Sequence, residues 1–146
     1  MKVLVTGGTG FVGPRIVHAL RARELAVRAL VRDPAQAAQL ASWGVELHRG
    51  DVTDAGSVAE ALDGCTHVVH LVAIIKGRPE AFKRVMVDAT DSLVAASKAA
   101  GVERFTLMSA LGTSEESKDS VPYYAAKWAM EQPCRCSRTL GVVGSW

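Results

Sequence analysis

The sequence predicts an α/β chain built as a doubly wound parallel sheet, and three observations predict it. A buried-type apolar run, Val3-Leu4-Val5, leads through Thr6-Gly7-Gly8-Thr9-Gly10-Phe11-Val12-Gly13 into the amphipathic segment Arg15-Ile16-Val17-His18-Ala19-Leu20. That is the strand, turn and helix context a glycine-rich phosphate cradle requires. Four further apolar runs alternate with helical patterns at intervals of about 20 to 35 residues, the spacing of strand-helix-strand units with right-handed crossovers. The longest of these, Thr66 to Ile75, is continuously apolar rather than alternating, as in strands covered on both faces.

The first turn needs glycine for a tight reversal, for close approach of backbone N–H groups to a pyrophosphate, and for packing of helix on strand. Gly7, Gly10 and Gly13 supply these roles at a spacing of three, while Gly8-x-Gly10-x-x-Gly13 offers a second register. Pro14 suits a first helical turn, where an N–H has no intrahelical partner. Ala26 to Val31 is the second strand, ending in Arg32-Asp33-Pro34. In dinucleotide folds an acidic residue about 20 positions past the glycines bonds the ribose 2′-OH of NAD, whereas an arginine accommodates the 2′-phosphate of NADP. Arg32 at this tip, with Arg28 in reach and Asp33 one step later, favours NADP; NAD and a merely solvated Arg32 are the alternatives.

Pro34 opens a short helix through Trp43, which Gly44 terminates. Val45 to His48 is the third strand, followed by Arg49-Gly50-Asp51-Val52-Thr53-Asp54 at the sheet edge where such folds place ligands. There Asp51 can accept from an adenine amino group with Val52 against the ring, while Thr53 or Asp54 suits a helix cap. A helix over Val58 to Leu62 stops at Gly64, and the fourth strand, Thr66 to Ile75, carries His67 and His70 as structural residues. A long helix spans about Glu80 to Ala100, with Phe82, Val85, Met86, Leu93 and Val94 on its apolar face. Val102 to Met108 is the fifth strand, Ser109 marks its carboxyl end, and Thr113 to Ser120 reads as an exposed lid-like loop.

The bulk numbers exclude other classes. A chain of 146 residues is one domain, and 49% hydrophobic with 22% charged residues describes a globular protein. A net charge of +2 and an aromatic share of 5% give no footprint for nucleic acid. No apolar run reaches the roughly 20 residues of a membrane span. Met1-Lys2 leads straight into the first strand without a secretory-type leader, which predicts a cytoplasmic location. Cys65, Cys134 and Cys136 show no four-ligand metal spacing. Cys134-Arg135-Cys136 is a redox or metal pair at most, and an accidental one without further ligands.

Val121-Pro122 begins a sixth helix in which Tyr123 and Lys127 stand four residues apart, on one face. An ammonium beside a phenol favours the phenolate, so the pair can act as acid and base; Tyr124 is the alternative exposed phenol. Taken in order, the glycine turn, Arg32, Gly50-Asp51-Val52, His70-Leu71-Val72-Ala73, Ser109, and Tyr123 with Lys127 resemble the short-chain dehydrogenase/reductases. Phe11-Val12-Gly13, His70-Leu71-Val72 and Met108-Ser109-Ala110-Leu111-Gly112 resemble most the atypical NAD(P)-binding group related to the complex I accessory subunit, with NmrA-like and sugar-nucleotide epimerase groups as neighbours.

The resemblance implies a Rossmann fold of about five strands that binds NADP, with NAD as the alternative, and acts on a small-molecule substrate. It implies dinucleotide contacts from Gly7, Thr9, Gly10, Phe11, Val12 and Gly13, a 2′-phosphate contact from Arg32, and adenine contacts from Asp51 and Val52. Leu71, Val72 and Ala73 would line the middle of the cofactor. Lys127 would hold the nicotinamide ribose, and Tyr123, with Ser109 nearby, would carry acid/base chemistry in an oxidoreductase or epimerase. Two departures suit a non-catalytic binder instead: the usual catalytic hydroxyl aligns with Ala110, and Met86 replaces an asparagine. Residues 1–132 read as the Rossmann domain. Residues 133–146 read as a tail from a shifted reading frame or a truncation, with the C-terminal substrate region missing and Pro133 ending the helix; the alternative is a divergent natural tail in which Leu140 to Val143 is at most an edge strand.

Overall fold

A computed structural model describes residues 1–135 and 142–144. The strands are β1 (Lys2–Thr6), β2 (Ala26–Val31), β3 (Glu46–Arg49), β4 (His67–His70), β5 (Arg104–Met108) and β6 (Val142–Gly144). They form one parallel sheet in the order β3-β2-β1-β4-β5-β6, the doubly wound Rossmann arrangement. The five expected strands are present, and β6 extends the sheet beside β5 through Thr106↔Val142 and Leu107↔Val143. The chain reverses direction across the sheet between β1 and β4, the switch point outside whose carboxyl ends open α/β sheets bind ligands.

The helices are α1 (Gly13–Arg21), α2 (Ala38–Ser42) after a 3-10 turn at Pro34–Ala37, α3 (Ala55–Leu62), α4 (Pro79–Phe82), α5 (Ala89–Ala99) and α6 (Pro122–Arg135). Alternate residues of β1, β2 and β4 feed opposite cores. Val3, Val5, Val27, Ala29 and Val31 meet Val17 and Leu40 on one face. Leu4, Leu30, Val68, Phe105 and Leu107 meet Val58, Leu62, Met86, Leu93 and Met130 on the other. Because both faces are buried, these strands read as unbroken apolar runs.

Three expectations change. The fourth strand is only His67–His70, because its neighbour β1 ends where the chain turns at Gly7; the last rung is Leu71 N–H donating to the Thr6 carbonyl at 3.0 Å. The long helix is not uniform: Lys83–Asp88 forms a π-helical turn between α4 and α5. Pro133 does not end the last helix. It sits inside α6, held there by Met130 and Cys134, which are buried in the core on either side; packing overrides a local penalty of about 3 kcal/mol. The remaining tail residues, 136–141 and 145–146, Cys136 among them, lie outside the described residues. No described helix is long and apolar enough to cross a membrane.

Candidate functional site

The glycine turn resolves its register in the structure. Gly7 has φ +76°, and a Cβ there would stand 3.0 Å from the backbone of both Leu71 and Val72. Its carbonyl accepts from Gly10 N–H at 3.0 Å, closing the turn. A Cβ on Gly13 would come within 2.3 Å of the Gly8 carbonyl oxygen, whereas one on Gly8 would meet side-chain methyls, the nearest that of Leu40 at 3.2 Å. Tight turn, open backbone and helix packing therefore fall to Gly7, Gly10 and Gly13.

At the carboxyl ends of β1, β2, β3 and β4 lies an open cleft of about 270 Å³. Thr6, Gly7, Thr9 and Gly10 form its turn side, and Arg32, Asp51, Val52, Leu71, Val72 and Ala73 its other walls. Ten residues from four separate loops and strand ends thus converge at the switch point, 19 or more positions apart in sequence at each step. Phe11, Val12 and Gly13 do not line it: the Phe11 ring is 88% exposed with the Arg15 guanidinium 5.5 Å away, Val12 caps α1, and Gly13 is buried between α1 and the turn.

The tip of β2 separates its charges. Asp33 caps the 3-10 turn, accepting from Ala35 N–H and from Gln36 Nε2, each at 3.0 Å. Arg32 is exposed at the cleft. Arg28, expected nearby, points to the opposite end of the sheet. It pairs with Glu46 at 2.7 Å and donates to the carbonyls of Ala61 and Asp63, and is excluded from the site. Asp54 is the cap of α3, its carboxylate accepting from Ser57 N–H at 3.0 Å. Asp51 instead accepts from the Thr53 N–H at 2.8 Å and hydroxyl at 2.7 Å. Burial works to raise the Asp51 pKa, but these bonds and the charges of Arg32 and Arg84 hold it below the ordinary carboxylate value.

Tyr123, Lys127 and Ser109 lie outside the cleft lining. Lys127 is 1% exposed and donates to the Met108 carbonyl at 2.7 Å. Burial lowers its pKa to about 8 against the opposing pull of Glu131. Its ammonium stands 5.8 Å from the Tyr123 ring centroid. The expected lowering of the Tyr123 phenol is not found: burial, and then Tyr124, raise it. Tyr123 packs against the core, while the Tyr124 hydroxyl reaches the Leu111 carbonyl at 3.4 Å. Ser109 is buried and its hydroxyl donates to Glu131, whose other oxygen pairs with Arg135 at 2.7 Å.

Sequence reasoning missed Glu131, Thr90 and Arg84. For Glu131 a signal existed, since Lys127, Glu131 and Arg135 recur every four residues along one helix face. His70 is structural, as expected, and Thr90 explains how. The Thr90 hydroxyl donates to the Met86 carbonyl, so it accepts from His70 Nε2–H at 3.0 Å, and His70 Nδ1 accepts from the Thr6 hydroxyl at 2.6 Å. Burial, with the Lys127 charge, drops the His70 pKa to about 3 and keeps the ring neutral. Cys134 is buried against the Met130 carbonyl.

Comparison with known proteins gives the same fold and ligand class. Residues 7–138 match the family described as NAD(P)H-binding. The chain is 30% identical over 129 residues to the NAD(P)H azoreductase of Xenophilus azovorans, covering 88% of this chain and 41% of that protein. A short-chain dehydrogenase/reductase superfamily protein from Agrobacterium tumefaciens, solved with bound NAD, superposes with a TM-score of 0.79 at 28% identity, over 99% of this chain and 47% of the other. The Thermus thermophilus UDP-glucose 4-epimerase in complex with NAD gives a TM-score of 0.73 at 30% identity, over 90% of this chain and 49% of the other. The chain thus spans less than half the length of these relatives. With the glycine cradle, the switch-point cleft and the match over residues 7–138 in agreement, the chain belongs to the NAD(P)H-binding family, a Rossmann domain of the NmrA-like and epimerase-like short-chain dehydrogenase/reductase superfamily.

Proposed function

We propose that this chain is the NADP(H)-preferring nucleotide-binding part of an oxidoreductase of epimerase-like ancestry. The observation that carries the reading is the division of labour at the tip of β2: Asp33 is consumed as a helix cap while Arg32 faces the cleft unpaired by any carboxylate among the described residues. A guanidinium fork suits a phosphate, and the acidic residue that would favour a free 2′-hydroxyl is turned away. Thr9, Gly10 and the turn around Gly7 are the proposed phosphate cradle, Asp51 and Val52 the proposed adenine contacts, and Leu71 to Ala73 the proposed floor. Phe11, Val12 and Gly13 serve this reading by setting the entry of α1 rather than by lining the cleft.

Bound NADP(H) would supply hydride exchange at its nicotinamide carbon. Tyr123 is the proposed proton donor and acceptor for a carbonyl or sugar carbon, and Lys127 the proposed ribose ligand. A second reading, a dinucleotide-binding module without turnover, is favoured by one observation. Ser109 and Lys127, both buried, already spend hydrogen bonds on Glu131 and Met108, and the Tyr123 phenol is harder rather than easier to ionise.

Titration of the purified chain with NADPH and with NADH, read by cofactor fluorescence and melting temperature, tests the first reading. Preferential binding of NADPH is the expected result, and equal or preferential binding of NADH refutes the role given to Arg32. Turnover with a carbonyl substrate, abolished by Tyr123→Phe, decides between enzyme and module.

A further inference from the structure

The cleft holds a second arginine, Arg84, which enters from the π-helical turn rather than from a strand end. In a regular α-helix Arg84 and Asp88, four residues apart, would face each other and pair. The π-turn changes that partnership. Lys83 Nζ takes both Asp88 oxygens, at 2.6 and 2.8 Å, across five residues, and Arg84 is left exposed without an ion pair among the described residues. Arg32 stands at the same cleft in the same condition. Asp51, which lines the same cleft, has its Oδ1 occupied by the Thr53 N–H and hydroxyl. Two guanidinium groups from two elements therefore line one cleft with a carboxylate that is bonded within its own loop. A dianionic phosphate monoester, with more than one acceptor edge, is the ligand chemistry that satisfies two such forks. Single π-turns inside helices recur at functional sites, where they re-aim side chains.

We infer that Arg84 is a second phosphate ligand of this cleft, acting with Arg32 on the 2′-phosphate at the adenosine end, and that the π-turn frees it for this contact. The inference rests on the NADP(H) reading above. Its test compares the parent chain with Arg84→Gln, Arg84→Lys and Arg32→Gln in titrations with NADPH, NADH and 2′,5′-ADP, read by cofactor fluorescence and by the ligand-induced rise in melting temperature. Arg84→Gln is expected to lose about 10- to 100-fold in affinity for NADPH and 2′,5′-ADP while NADH affinity stays within about twofold, the scale of one charged hydrogen-bond pair. Arg84→Lys is expected to recover part of the loss.

Equal losses for NADPH and NADH would move Arg84 to the pyrophosphate and overturn the assignment, as would no loss at all. A parent chain that binds NADH as tightly as NADPH overturns the NADP(H) reading together with the Arg84 assignment. A parent preference that disappears in Arg32→Gln and survives in Arg84→Gln overturns the Arg84 assignment alone. Because Arg84 is exposed, its variants are expected to melt with the parent in the absence of ligand, so a loss of binding cannot be a loss of fold.

Discussion

Replacing Lys127 by methionine removes a buried ammonium while keeping most of the side-chain volume. The folded state gives up the Lys127 proton near pH 8, whereas the unfolded chain holds it to 10.5. Between those values the unfolded state binds more protons, so this group makes stability rise with pH across the window, and its burial is a liability below it. At about 1.4 kcal/mol per pH unit the liability amounts to about 3 kcal/mol at pH 7. The pull of Glu131 is already contained in the pKa of about 8. Methionine leaves the Met108 carbonyl without its donor, a loss of about 1 kcal/mol. The variant should therefore be about 2 kcal/mol more stable than the parent at pH 7 and about 1 kcal/mol less stable by pH 10.5, where a neutral lysine still donates to Met108. Urea unfolding of both proteins at several pH values, with unchanged m, reads the difference. A gap that stays flat from pH 7 to 10.5 refutes the reasoning, since Lys127 would then be titrating as a solvated amine. Under the proposed function the same variant loses cofactor affinity, the usual mark of a destabilising residue retained for its role.

Gly13→Ala should cost more than about 3 kcal/mol, beyond ordinary overpacking, because its Cβ would meet a backbone oxygen at 2.3 Å that cannot swing aside. Gly8→Ala, which meets a flexible leucine end at 3.2 Å, should cost under about 1.5 kcal/mol; denaturant midpoints of the two variants check the glycine register. His70 is neutral when folded, with its pKa near 3 against 6.5 unfolded. The unfolded chain therefore takes up this proton first as pH falls, and stability drains away between those values by on the order of 4 kcal/mol. A His70→Gln variant should show a correspondingly flatter acid limb, and an unchanged limb in acid titration of stability would contradict the buried neutral ring. Glu131→Ala strands the buried Ser109 hydroxyl, at a cost of about 1–3 kcal/mol; Glu131→Ala combined with Ser109→Ala should recover most of that loss in a double-mutant cycle.

Arg84 and Glu131 show the limits of reading this chain by pattern. Arg84 was invisible because periodicity assumes one helical pitch, and only the π-turn pairs Lys83 with Asp88 and so leaves Arg84 at the cleft. Glu131 was visible as an every-fourth-residue partner of Lys127, but its burial depends on how α6 lies against β5. Pro133 misled for a related reason: a local breaker was weighed without the core contacts of Met130 and Cys134 that hold the helix through it.

The sequence by itself determined the order of strands and helices, the glycine-rich first turn, and the loops that meet at the carboxyl edge, because these rest on short-range chemistry: backbone freedom at glycine, apolar runs long enough to be covered twice, and caps within three residues. Which side chains face the cleft was decided only by tertiary structure. Arg28 lies within β2 and Arg32 just past its end, yet one is anchored to the carboxyl end of α3 and the other is open at the site. Arg32 and Arg84 lie 52 positions apart and line one cleft. Charges find their partners through space, and a linear chain records only which charges it has to offer.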